Sequence, residues 1–229
     1  MTDLSHRLAR LTPQQRAALE ARLLTSPPTA APIPRWAAGA EAPLSWAQER
    51  LWFLQRFDPA DTAYNLHLVE RLRGPVDVAL LRRALATVVA RHEVLRTGMP
   101  MRDGRPVQVV EPALDVPVTV VTVEGATVTD RESRARALVD EQVNTPFDLS
   151  RAPLLRVTLL RLGEDDHLFC LVLHHAVGDG WSLGLIADEV SRGYAALLAG
   201  ADPDLPELPV QYADVAAWQR SRPDDAEQA

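Results

Sequence analysis

Residues 174–182 read His-His-Ala-Val-Gly-Asp-Gly-Trp-Ser and concentrate the groups able to do chemistry. The two histidines end an apolar run, Leu168 to Leu173, and an Asp-Gly pair follows at Asp179 and Gly180. Imidazole exchanges a proton near neutral pH, so a histidine at a strand end, backed by a carboxylate and a glycine turn, suits acid–base chemistry. Successive strand residues face opposite sides, so one histidine can enter a pocket while the other packs inside, hydrogen-bonded. Asp179 admits two roles. It can cap the helix that starts near Trp181, or pair with an arginine and hold the histidine loop in shape. Gly180 can supply a positive φ.

Rival chemistries lack their residues. Adjacent strand histidines do not readily chelate one ion, and neither Cys-x-x-Cys nor His-Glu-x-x-His occurs. There is no Gly-x-Ser-x-Gly elbow and no glycine-rich phosphate loop. The single cysteine, Cys170, lies inside the apolar run and reads as a small buried hydrophobe.

The elements that must position the histidines follow from periodicity and caps. Ser45 with Gln48 forms a capping box opening an amphipathic helix, and Thr129 with Glu132 forms another, with a helix to about Val143. Leu81, Leu85, Val88 and Val89 put a helix over Val78–His92; Leu183, Ile186, Val190, Tyr194 and Leu197 put one over Leu183–Leu198, with Gly200 at its C-terminal cap. A last helix spans about Val210–Arg220. Strands are expected at Asn65–Leu72, Leu95–Met101, Pro106–Val110, Val116–Val123, Leu154–Leu162 and His167–Leu173, with Asp103-Gly104 turning a hairpin. A capping box at Thr12 starts a short N-terminal helix, and the proline-rich stretch Ser26–Pro43 reads as a linker. The expected domains are therefore 1–43, helix and linker; 44–222, the folded lobe; and 223–229, a disordered tail. The fold class is α+β, a two-layer sandwich in which one mixed, mostly antiparallel sheet is covered by helices.

The 229 residues suffice for one sizeable core, and 47% hydrophobic with 24% charged residues is ordinary for a globular chain. No apolar run approaches the roughly 20 residues that span a bilayer, which excludes a membrane partner. Without a signal-peptide layout, the expected location is cytoplasmic. The net charge of −7 comes from interspersed residues, which argues against nucleic acid.

His174–Ser182 is similar to the HHxxxDG signature of the condensation domains of non-ribosomal peptide synthetases, members of the chloramphenicol-acetyltransferase-like superfamily. Three further segments resemble that family's motifs in its order: Leu44–Leu54 (LSWAQERLWFL), Arg91–Thr97 (RHEVLRT) and Tyr212–Arg220 (YADVAAWQR). Met99 and Val215 depart from it, standing where an aromatic residue and a tyrosine are usual. The Trp-Ser after Asp-Gly looks more like the subtype that joins two L-configured residues.

The resemblance implies amide formation between a donor thioester and an acceptor amine, both on phosphopantetheine arms of peptidyl carrier proteins, with no cofactor or metal held by the chain itself. It implies His175 at the reaction centre, as base or as orienting group, and His174 in support. Asp179 would be structural, with Arg50 the first candidate for its arginine partner. Gly180 would offer an N–H to the oxyanion, and Gly180, Trp181 and Ser182 would line the substrate. The matched motifs are those of the N-terminal lobe, so a C-terminal half or adjoining synthetase domains are expected partners, and the lobe alone is expected to have little activity. Two alternatives are a docking module for a carrier protein or tailoring enzyme, and an acyltransferase completed by self-association or a partner half.

Overall fold

The computed structural model describes residues 32–37 and 39–222; the N-terminal helix expected near Thr12 and the tail 223–229 lie outside them. The unit carrying the signature runs from Pro34 to Ala229. It comprises β1 (Ala42–Pro43), α1 (Trp46–Phe57), β2 (Asn65–Arg73), α2 (Val78–Arg91), a 3-10 turn (Glu93–Arg96), β3 (Thr97–Gly98), β4 (Met101–Arg102), β5 (Arg105–Val110), β6 (Val118–Thr122), α3 (Val128–Val143), β7 (Leu155–Gly163), β8 (Asp166–His174), α4 (Gly180–Leu198) and α5 (Tyr212–Arg220).

The main sheet has the order β2-β8-β7-β6, antiparallel except for the parallel pair β6–β7. Register partners place Leu155, Val157, Leu159, Phe169, Leu171 and Leu173 on one face, and these join Leu81, Leu85, Val88, Ile186 and Val190 of α2 and α4 in the principal core. That pair of layers is the expected sandwich. The other face carries Val121, Leu160 and Leu168, which pack with Ala135, Leu138 and Val139 of α3. A smaller sheet gathers β1, β3 and β4 around β5. Its hairpin turns at Asp103 (φ 47°) and Gly104 (φ 77°), both left-handed as a two-residue turn requires.

Four expectations shift. Residues 34–43 are part of the folded unit rather than linker: Ala42 and Pro43 pair with Gln108 and Val107, and Trp36 N–H donates to Asp214 at 2.6 Å. The cap of α3 is Thr127, whose hydroxyl accepts from Asp130 N–H at 3.1 Å, not Thr129. The expected strand Leu95–Met101 begins as the 3-10 turn, and its remainder breaks where Met99 N–H leaves the ladder for Leu149 O; Pro100, next in line, has no N–H to give. Helix α4 begins at Gly180, three residues before the first buried leucine of its stripe.

Candidate active site

Strand β8 ends at His174 and delivers two imidazoles into different surroundings. His174 is fully buried. Its ring lies between Tyr64 and Phe147, with centroids 6.4 and 6.3 Å away. Nδ1 accepts the Ala176 N–H at 3.1 Å, so the neutral ring carries its proton on Nε2, which has no hydrogen-bond partner among the described residues. Burial pushes its pKa down from 6.5 to about 4, with a smaller contribution from His175. This ring stays neutral at physiological pH and does not reach solvent.

His175 is exposed. Its backbone N–H donates to Tyr64 O at 2.8 Å, which extends the β2–β8 pairing by one residue and fixes where the side chain leaves the chain. Nδ1 stands 2.8 Å from Gly178 O. A carbonyl only accepts, so Nδ1 carries a proton, and in the neutral ring Nε2 is the acceptor.

Asp179 is the N-cap of α4. Its Oδ1 accepts from Ser182 N–H at 2.8 Å and from Ser182 Oγ at 2.7 Å, while Asp179 N–H donates to Ser182 Oγ at 3.1 Å. These bonds hold the carboxyl below the usual carboxylate range. The expected arginine pairing is absent: no ion pair joins Asp179 to an arginine among the described residues, and Arg50 is an exposed residue of α1. Ser182 commits its hydroxyl to the cap rather than to a substrate.

Gly180 is the first residue of α4 and is not among the positive-φ glycines. With Ser182 N–H capped and Leu183 N–H bonded to Asp179 O, the first-turn amides left without a partner among the described residues are those of Gly180 and Trp181. Trp181 is 84% exposed beside them.

Sequence reasoning missed Gly178. A Cβ there would stand 3.0 Å from Ser182 Cβ, so a larger residue in the loop that brings this carbonyl to His175 would press on the capping serine. It also missed how the distant motifs meet. Gln48 Nε2 donates to Ala176 O at 3.1 Å, tying α1 to the histidine loop. Glu189, 3% exposed, takes Arg91 at 3.0 Å and His92 at 2.7 Å, tying α2 to α4. Tyr212 Oη bonds Ser45 Oγ at 3.0 Å, and Gln211 accepts Glu93 N–H at 3.1 Å. The signal available in the sequence was the polar residues at otherwise apolar positions of these helices. No group of three or more His, Cys, Asp or Glu among the described residues could hold a metal ion, and no described helix is long and apolar enough to cross a membrane.

His175 thus offers a ring nitrogen, and the start of α4 two amides, without partners among the described residues, groups able to exchange a proton and to stabilise an oxyanion. The fold and this loop are those of a known class: residues 39–229 match the Condensation domain, and the chain belongs to that family. It is 44% identical over 189 residues to one of the linear gramicidin synthase proteins of Brevibacillus parabrevis, covering 82% of this chain and 2% of that protein. It is 42% identical over 228 residues to phosphinothricin tripeptide synthetase PhsC of Streptomyces viridochromogenes, covering 98% of this chain and 21% of that one. Among solved structures, the X-domain from teicoplanin biosynthesis superposes with a TM-score of 0.75 at 31% identity, covering 86% of this chain and 41% of that chain. The first condensation domain of the calcium-dependent antibiotic synthetase, in complex with a substrate analogue, gives 0.66 at 30% identity, covering 72% and 40%.

Proposed function

We propose that this chain carries the reaction centre for amide formation in non-ribosomal peptide synthesis, as the N-terminal lobe of a condensation domain. The observation that carries the proposal is the poise of His175, whose Nδ1 proton is held by Gly178 O at 2.8 Å while Nε2 is free on an exposed ring. The acceptor amine attacks the thioester carbonyl, and Nε2 takes a proton from the nitrogen as the C–N bond forms. The Gly180 and Trp181 N–H groups, at the positive end of α4, stabilise the oxygen that gains negative charge. Collapse breaks the C–S bond, and the departing thiolate takes the proton back from the imidazolium.

Both substrates arrive as phosphopantetheine thioesters, so donor and acceptor peptidyl carrier proteins are the partners. The remainder of the domain supplies the facing wall. The names of the gramicidin and phosphinothricin relatives support this reading.

The test is His175→Ala in the complete domain containing this chain, assayed for amide formation between a loaded donor carrier and an acceptor amine. The turnover rate should fall by about 10²–10⁴-fold, the share a positioned base supplies. An unchanged rate would remove His175 from the chemistry.

A further inference from the structure

The end of the main sheet remote from His175 holds a second concentration of unsatisfied polar groups. Thr122, Arg161, His167 and Leu72 are successive cross-strand partners, one row across β6, β7, β8 and β2. On β8, His167 lies roughly 23 Å from His174 at the usual strand rise. His167 is 3% exposed, yet its Nδ1 is sealed without a hydrogen-bond partner and its Nε2 has none among the described residues. Arg161 beside it is half-buried and joins no carboxylate among the described residues. The β7–β8 register slips between Arg161 and Gly163, a bulge of the kind that re-aims a side chain.

Both side chains line a cavity of about 510 Å³ together with Pro75, Val76, Thr122 and Glu164. At this end of the sheet the two arginines of β2 are neutralised by one carboxylate. Asp166 takes Arg71 at 2.6 Å and Arg73 at 3.2 Å. Arg161 is left out of that pattern, although Glu164 shares the lining without coming within ion-pair distance of it. Asp166, adjacent in sequence to His167, reaches that ring only through space, its oxygens being held by the two arginines. A guanidinium fork and an imidazole on neighbouring strands match the oxygens of one anionic head. The remaining space, walled by Pro75 and Val76, suits an apolar body.

We infer that this cavity binds a small molecule with an oxyanion head and an apolar body, held by Arg161 and His167 and separate from the His175 centre. The inference does not depend on the function proposed for His175. It is tested by titrating the full chain with phenyl phosphate and following amide and imidazole NMR signals, with inorganic phosphate as the head alone and phenol as the body alone. Phenyl phosphate should give saturable shifts at Arg161, Gly163 and His167 and none at His175 or Gly178. Arg161→Gln should weaken binding by about tenfold with the rest of the spectrum unchanged, as loss of one charge-assisted contact implies. Arg161→Lys, which keeps charge and stem but not the fork, should weaken it as well. Absence of saturable shifts, or an affinity in both variants equal to that of the native chain, overturns the site. Phenol binding as tightly overturns the oxyanion head, and inorganic phosphate binding as tightly overturns the apolar body.

Discussion

His175 owes its ring tautomer to a backbone atom three residues away. Donation of the Nδ1 proton to Gly178 O sets the tautomer without any carboxylate, and the site was legible in the sequence only up to that point. The histidines, their opposite environments and the possible cap at Asp179 follow from residue type and strand alternation. The partner of Nδ1 does not, because every residue has a carbonyl. Gly178→Ala should crowd Ser182, displace that carbonyl and mix the two tautomers, read directly from the ring nitrogens of His175 by heteronuclear NMR; an unchanged spectrum would show that the contact does not set the tautomer. Asp179 offers a sharper choice, since a cap and a buried ion pair differ in energy. Asp179→Asn keeps an acceptor for Ser182 N–H and should be nearly silent, whereas Asp179→Ala should lose about 1 kcal/mol in urea unfolding. Arg50→Ala should stay within about 0.5 kcal/mol. Several kcal/mol at both positions would mark a buried pair instead. His174 supplies a pH dependence of definite sign. Its folded pKa is lowered from 6.5 to about 4, so the unfolded chain binds the proton first as pH falls. Its contribution is intact above 6.5 and is lost between 6.5 and 4, amounting to about 3 kcal/mol. The urea midpoint should therefore drop further on acidification in the native chain than in His174→Gln, and equal drops would mean that the ring titrates as if in water.

Helices α2 and α4 were readable because one-sided burial writes a period into the sequence: Leu81, Leu85, Val88 and Val89 on one, Leu183, Ile186 and Val190 on the other, all buried as expected. The failures at this scale have physical causes. Prolines in 34–43 announce missing donors, not missing partners, and Pro43 still offers its carbonyl to Gln108 Nε2 at 2.8 Å. Thr127 and Thr129 are both competent caps, and the choice fell to the one whose third neighbour, Asp130, returns a bond to Thr127 N–H at 3.0 Å. What joins α2 to α4 beyond their apolar stripes is the pair of bonds from Glu189 to Arg91 and His92. Glu189 is 4% exposed at its side chain, so its removal leaves two donors facing an interior gap. Glu189→Ala should lose about 3 kcal/mol of stability by urea unfolding, and should loosen α4 and the loop at its N-terminus together. A loss below about 0.5 kcal/mol, the scale of a surface change, would mean that water takes over the carboxylate's bonds.

The whole molecule was the least legible scale. Composition fixed a single core and the motif order pointed to the family, yet the strand order β2-β8-β7-β6 joins segments as far apart as Asn65 and His174, and no local pattern encodes such a pairing. The same topology gives the chain an internal reporter. Its single cysteine, Cys170, sits on β8 between Val69 of β2 and Thr158 of β7, paired on both sides. It is 1% exposed, and burial pushes the thiol up to about 11. The thiolate is the reactive form, so both access and ionisation protect it in the folded chain. Exposing it requires separating β8 from a neighbour, which dismantles the core shared by the sheet, α2 and α4. Labelling by an aromatic disulfide reagent should therefore be very slow in native buffer and rise with urea in step with the tryptophan fluorescence transition. Labelling that runs ahead of that transition would show that the sheet opens locally at β8, and that the strand delivering both histidines is less firmly held than its pairing implies.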